Sequence, residues 1–425
     1  MTVGAQDLDT TANALRIIYS PDEVKLKLSK RNAFFNDIEK VDDFEGESYV
    51  HTVQHGYNQG VGTTMAAAEA AMTTDVDAKF TVPRRRFYSA GKIAREVILA
   101  TRSSKGSAVR QLKRSYDSCL MNMERLLQFI VWGDGGGAYA ILDKAGVADG
   151  LLATQIQIKN ARGMHWLEKD MQVHYSADRG ATGLTTVLQD GAAEGAAATG
   201  LTNTIAAVNR KTGLITMSAA IDTDVDAGHY LFRKDTKGSL PHGSRAWCPQ
   251  DDATAALDLF GQPRSSDIVR LAGLRWLDVL GTYQETLREA ISYADLEGGE
   301  FTTIYMNPVD IGRIDSSERE KVVHNEKRGE LEIGFSVIKF NTPIGDLDLM
   351  SDAACPQGWA KVTTPSAWRF KHLGKLFGFF EEAGLLYVIP AYDGYGFRGG
   401  GYGNIVCEDP KSVMWVKLSA LAAAL

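Results

Sequence analysis

The chain has 425 residues, 44% of them hydrophobic and 23% charged, with a formal net charge of −7. That supplies ample core material for about two or three domains and excludes a nucleic-acid coat that works by global positive charge, though not a local basic face. Cys119, Cys248, Cys355 and Cys407 are widely spaced with no CxxC pair, so they read as reduced, buried small residues, and no apolar run is long enough for a membrane span.

Residues 1–45 are polar and turn acidic at Asp37, Glu39, Asp42, Asp43 and Glu45. They predict an arm with one short helix near Ser20 to Lys30, where Pro21 suits the first turn. Leu15, Ile17, Ile18, Phe34 and Phe35 are the apolar residues with which it would grip a neighbour. Residues 46–100 predict a long hairpin. Ser48 to Val53 is strand-like, Gly56 to Gly62 is loop, and Met65 to Met72 is an alanine-rich patch. Phe80 to Leu99 returns as a strand-like run, interrupted by Pro83 and made basic by Arg84, Arg85, Arg86, Lys92 and Arg95. Isolated two-stranded hairpins are marginal in water, so this one is expected to lie on another subunit. Its basic return strand would meet the acidic stretch Asp42 to Glu47 of that neighbour.

Ser107 to Trp132 predicts one long α-helix. Val109, Leu112, Tyr116, Cys119, Leu120, Met123, Leu126, Leu127, Ile130 and Val131 fall on one stripe. Arg110, Lys113, Arg114, Asp117, Glu124, Arg125 and Gln128 occupy the other side. Ser107 is the expected cap, and the cluster Gly133 to Gly137 ends the helix. At roughly 39 Å it is long for a compact domain. Its basic residues read first as a solvated face; the functional alternative is a surface that tolerates nucleic acid without reading sequence.

Residues 150–238 change character. Gln155 to Ile158, Met171 to Tyr175, His229 to Phe232 and a hairpin over Val208 to Thr216 are short strands that suggest a small β-barrel, crossed by the Gly/Ala/Thr-rich stretch Gly180 to Thr204. From Ser265 the pattern is mixed. Thr282 to Glu285 is a capping box opening a helix to Leu296. Phe301 to Met306 is a strand, and Asn307-Pro308 opens another helix. Gly334 to Phe340 and Leu347 to Met350 flank a turn at Pro343 to Gly345. Leu385 to Ile389 and Val413 to Leu418 are late strands.

Catalytic and metal motifs are lacking. His51 and His55 are four apart, but no Glu follows His51, and a solvated hairpin is the better reading than zinc. Asp222, Asp224 and Asp226 alternate like a calcium loop, yet the glycine comes one place late and the twelfth-position Glu is missing. Gly133 to Gly137 and Gly394 to Gly403 match no phosphate loop and read as hinge or tight turn. No catalytic residue, cofactor or metal ligand is assigned, and an enzyme is not expected.

The order of arm, long hairpin, long helix and mixed α+β domain resembles tailed-phage major capsid proteins of the Hong Kong 97-type fold. The passages that carry the resemblance are Lys92 to Val97 running into the long helix and "VWGDGGG", "GSRAWCPQDD" (Gly243 to Asp252), "LFGQPRSSD" (Leu259 to Asp267), "TIYMNPVDIGRI" (Thr303 to Ile314), "DAACPQGWAKVTT" (Asp352 to Thr364) and "YDGYGFRGGGYGNIVCEDP" (Tyr392 to Pro410). The chain departs from the simplest members at the barrel, which is similar to the insertion domains of some capsid proteins. The covalent Lys–Asn cross-link of that family has no residues assigned here, Lys79 included.

The resemblance implies an α+β fold with an N-terminal arm over 1–45, an extended-loop hairpin over 46–100 and a peripheral domain over 101–149 with its spine helix over 107–132. A small all-β insertion domain follows over 150–238, then a linker over 239–264, an axial domain over 265–390, and a return to the peripheral and axial sheets over 391–425. It implies a structural protein of the virion that self-assembles as pentamers and hexamers into an icosahedral shell around double-stranded DNA, assembled in the host cytoplasm. Implied partners are copies of itself, portal and scaffolding proteins, a decoration protein, and packaged DNA held by non-specific contact, with no membrane. Tyr57, Met65, Met72, Arg84, Arg85 and Arg86 are the candidate inter-subunit contacts; Arg110, Lys113 and Arg114 are the candidate DNA-facing residues. An encapsulin-type compartment shell is the alternative, followed by a binding module or enzyme that uses the barrel.

Overall fold

The computed structural model describes residues 32–96, 105–159, 166–177, 203–221, 225–250, 258–318, 338–380, 387–389 and 393–419, with side chains described from Lys113 onward in the long helix. The expected helix near Ser20, the residues Leu15, Ile17 and Ile18, and Asp222 and Asp224 lie outside them.

A six-stranded mixed sheet runs in the order Leu274–Trp276, Val413–Lys417, Trp359–Thr363, Thr303–Met306, Gly345–Ser351 and Ile338–Thr342. One face is closed by the helix Tyr283–Leu296, and Leu287, Ala290, Ile291, Ile304, Met306, Ala360, Val362 and Val416 form that core. The helix starts where its sequence dictates. Thr282 Oγ1 accepts from Glu285 N at 3.2 Å, and Glu285 Oε2 accepts from Thr282 N at 3.1 Å. Asn307 Oδ1 likewise accepts from Val309 N at 3.1 Å, before the first-turn proline of the helix Pro308–Glu318.

The other face of this sheet turns Tyr305, Lys361 and Trp415 into a second, larger core. Strand alternation puts Ala360 and Val362 on one side and Lys361 on the other. Phe34, Trp132 and Trp368 cover Lys361 there.

The second sheet is built around one long strand, Gly394–Cys407. Trp368–His372, Gly378–Phe379, Tyr387–Val388 and Arg85–Ala94 all pair with it, and Glu39–Val41 adds in parallel to Trp368–His372. The long helix, Lys105–Trp132, lies across this sheet. Tyr116 stacks on Phe397 with centroids 4.2 Å apart, and Ser89 Oγ is 2.9 Å from Cys119 Sγ. Tyr116, Cys119, Leu120, Met123, Leu126, Leu127, Ile130 and Val131 are all buried, as the stripe requires.

The barrel closes in the order Tyr230–Arg233, Ala138–Ala145, Gln155–Ile158, Leu214–Met217, Asn203–Asn209 and Gln172–Ser176. It is bolted to the end of the long helix. Phe129 stacks on Tyr139 at 4.2 Å, and Glu168 pairs with both Arg125 and Arg210.

Several boundaries differ from expectation. The barrel takes Ala138–Ala145 as its first strand, upstream of residue 150, because that strand is needed to close the ring between Tyr230–Arg233 and Gln155–Ile158. The helix begins at Lys105, so Ser107 lies inside it and is no cap. The hairpin's return strand is Val76–Pro83, paired with Ser48–Gly56, and the basic run from Arg85 leaves the hairpin to join the second sheet. Phe34 and Phe35 belong to this chain's own core, where the helix Ala33–Asp37 is capped by Asn32 and Phe34 N donates to Asp352 Oδ2 at 3.1 Å. The segment 239–264 is no simple linker, because Ser244, Arg245, Ala246 and Trp247 are buried. Trp368–His372 leaves the expected axial segment for the second sheet. Gly394 to Gly403 is neither hinge nor turn.

That glycine run is a strand interior whose missing side chains make room for rings. A Cβ on Gly401 would meet the Phe87 ring at 2.5 Å, one on Gly400 the Tyr88 ring at 2.5 Å, and one on Gly396 the Tyr387 ring at 2.7 Å.

Candidate self-association surfaces

The hairpin has an anchored root and a preformed tip. Val53, Ala78, Phe80 and Val82 are buried at the root, where Phe80 packs 5.2 Å from Trp247. Arg270 donates to His55 O at 2.7 Å and lies 4.7 Å over the Tyr57 ring. Beyond that clamp the tip is braced by its own bonds. Asn58 N donates to Asp75 Oδ1 and Gln59 N to Thr73 Oγ1, each at 3.0 Å; Thr73 N donates to Asn58 Oδ1 at 3.1 Å. A short helix, Met65–Ala70, is capped by Thr64 and packs so closely that a Cβ on Gly62 would stand 2.7 Å from Ala68 N. The apolar side chains of this ordered tip point outward: Val61 is 84% exposed, Met65 76% and Met72 60%.

Of the expected contact residues, Met65 and Met72 therefore sit at the tip and Tyr57 at its neck. The three arginines are elsewhere. Arg84 N donates to Glu47 O at 2.9 Å at the root. Arg85 is half-buried, burial pushes its guanidinium pKa down, and its buried Nε has no hydrogen-bond partner. Arg86 is exposed on the second sheet. The acidic stretch expected to meet a neighbour's basic strand is engaged within the chain. Asp43 Oδ2 is 2.5 Å from Lys371 Nζ, which lies over the Tyr49 ring, and Asp42 Oδ1 accepts from Gly374 N at 2.6 Å.

On the long helix, Lys113 and Arg114 are exposed, with Asp117 and Glu124 on the same polar side, so that band is mixed in sign. The side chain of Arg110 lies outside the described residues. His51 Nε2 lies 3.3 Å from Glu408 O, and burial pushes its pKa down. Among the described residues no group of three or more His, Cys, Asp or Glu side chains could hold a metal ion. The four cysteines are free and buried, and burial pushes their thiol pKa values up.

Two features escaped sequence reasoning. One is Lys361, fully buried, with its Nζ 3.4 Å from the Phe34 ring centroid, 3.9 Å from that of Trp368, and no hydrogen-bond partner. Desolvation holds its pKa well below the usual lysine range. The other is the sheet face turned away from the long helix, where Arg86, Tyr88, Lys92, Arg398 and Tyr402 share one side of two paired strands. The alternation of aromatic and glycine in Tyr395 to Gly403 was its only sequence signal.

No family model matches this chain, and no curated protein does. Among solved structures, one from Mycobacterium phage Ogopogo is 11% identical with a TM-score of 0.45, covering 92% of this chain and 92% of that one. The Cyanophage A-1(L) capsid asymmetric unit is 10% identical with a TM-score of 0.48, again covering 92% of each chain. The capsid of an empty GTA particle computed with C5 symmetry is 9% identical with a TM-score of 0.43, covering 92% of this chain and 97% of that one. The chain is thus similar, across most of its length, to structures of bacteriophage and GTA capsids.

Proposed function

We propose that this chain is a major capsid protein, a structural subunit that assembles as pentamers and hexamers into an icosahedral shell around double-stranded DNA. The observation that carries the reading is the hairpin tip. It is ordered by its own hydrogen bonds yet presents Val61, Met65 and Met72 to solvent. Clustered exposed apolar side chains on a rigid projection mark a protein–protein contact. In this reading the hairpin is the extended loop, and the long helix with the second sheet is the peripheral domain. The six-stranded sheet with its helices is the axial domain, and the barrel is an insertion. Lys113 and Arg114 face the enclosed DNA, held by charge alone.

The test is deletion of Gly56 to Asp77 with a short turn in their place. The root residues Val53, Phe80 and Val82 remain, so the subunit folds. Electron microscopy of the deletion variant is expected to show no closed particles under conditions where the intact chain forms them. Normal particles from the deleted chain refute the reading of the hairpin.

A further inference from the structure

The long helix and the barrel enclose a cleft of about 480 Å³, within the roughly 300–1,000 Å³ of small-ligand pockets. Its floor is apolar, made by Leu126, Tyr139, Trp166 and Met171. Trp166 stands edge-on to Phe129, with centroids 5.9 Å apart, and Phe129 stacks on Tyr139. The helix wall supplies Asn122 and Arg125, and Arg125 is neutralised by Glu168. Arg233 hydrogen-bonds to the hydroxyl of buried Tyr139.

Two turns of the barrel form the mouth, and they are built alike. Met171 N donates to Glu168 O at 3.3 Å across Lys169 and Asp170, and Thr236 N donates to Arg233 O at 3.2 Å across Lys234 and Asp235. Lys234 N donates to Gln172 O at 2.9 Å, which sets the turns side by side at one end of the barrel. In each turn a lysine is followed by an aspartate in the left-handed region, with φ 66° at Asp170 and 60° at Asp235. That third turn position favours glycine or asparagine. Only Phe260, among the described residues other than glycine, shares a positive φ with them. Both aspartates are exposed, and neither carboxylate has a hydrogen-bond or ion-pair partner among the described residues. The turns thus hold two carboxylates at the mouth in a backbone that a smaller residue would adopt more easily.

The mouth carries charges of both signs side by side, Lys169 beside Asp170 and Lys234 beside Asp235. An anion would be drawn by the lysines and repelled by the aspartates, and a cation the reverse, so neither gains much. A neutral ligand rich in hydroxyls gains from both. Ionised Asp only accepts hydrogen bonds, Lys only donates, and Asn122 and Gln172 do each. A vicinal diol offers donor and acceptor together, and its bonds to charged groups are the stronger kind. The apolar floor suits the C–H face of a sugar ring. We infer that this cleft is a binding site for a neutral saccharide, with Asp170 and Asp235 as its chief acceptors. The site lies within one subunit, so it fills whether or not shells form.

The full-length chain is screened by saturation-transfer NMR against neutral hexoses, N-acetylhexosamines and their disaccharides, with sulfated disaccharides and inorganic phosphate as charged probes. A neutral saccharide is expected to bind. Asp170→Gly with Asp235→Gly is expected to weaken it by about tenfold or more in isothermal titration, through the loss of hydrogen bonds to charged acceptors. The same double variant melts no lower than the parent, because glycine takes a positive φ without strain. Silence from every neutral saccharide overturns the inference. So does binding of the charged probes alone, tightened in the glycine variant, since the cleft would then be an anion site. An unchanged affinity in the glycine variant, or a loss matched by a lower melting temperature, also overturns it, because the carboxylates would then be idle or structural.

Discussion

Lys361 sits where the two cores meet, and replacing it gives a test with a defined slope. Its amine is enclosed by Phe34, Trp132 and Trp368 and has no hydrogen-bond partner. The cost of desolvating an ammonium exceeds what ring faces return, about 2 kcal/mol at best for each contact. The folded protein therefore holds the neutral amine, while the unfolded chain binds a proton up to pH 10.5. Between the depressed folded value and 10.5 the unfolded state carries one more proton. Stability rises with pH across that window, by about 1.4 kcal/mol per unit. Lys361→Met keeps the stem volume and removes the titrating group. Urea unfolding followed by tryptophan fluorescence, at pH 8, 9 and 10, is expected to find the variant more stable. Its advantage shrinks by about 1.4 kcal/mol for each unit of pH. An advantage that does not change with pH, or a variant less stable than the parent at pH 8, refutes the neutral amine.

Acid titration separates two other buried groups. Burial lowers His242 to about 4, so stability present above pH 6.5 is lost as pH falls towards 4, by up to about 3 kcal/mol. Burial raises Asp352 to about 6, which acts in the opposite direction between about 6 and 3.8. The parent's acid slope is thus shallow, and His242→Gln is expected to become more stable on acidification from pH 6 to 4, a sign that denaturant titration reads directly. Gly401→Ala places a Cβ 2.2 Å from Leu376 O and is expected to cost at least about 2 kcal/mol, whereas Gly312→Ala, with open space and a helical backbone, gains about 0.5–1 kcal/mol; thermal melts compare them. A fragment over residues 134–240 is expected to unfold cooperatively, and one over 150–238, which lacks Ala138–Ala145, is not; circular dichroism decides.

What was legible in the sequence was local. The stripe from Tyr116 to Val131 and the Thr282 capping box involve residues within a turn or two of each other, so their periodicity carries the structure. Phe34 misled because its partner, Asp352, is 318 residues away. The glycine run misled because the rings that need it come from Phe87, Tyr88 and Tyr387 on other strands. The exposure of Met65 and Met72 was readable because an apolar patch between turn residues has no local core. Arg84, Arg85 and Arg86 were grouped by adjacency, but the chain changes sheets there and scatters them. Lys361 is a lone ionisable residue in an apolar strand, and only the fold reveals that its amine lies among rings with no hydrogen-bond partner.

The strand Val413–Lys417 lies inside its sheet, between Leu274–Trp276 and Trp359–Thr363. A ribosome must therefore translate past Lys417 before the sheet can close. The segment Ala33–Asp37, made earlier, must likewise wait for Asp352 and Trp368. A chain cut before Val413 lacks this interior strand, and Leu274–Trp276 then has no partner among the described strands of its sheet. With so late a segment as an interior strand, Leu274–Trp276 and Trp359–Thr363, both made before it, are not joined until it arrives.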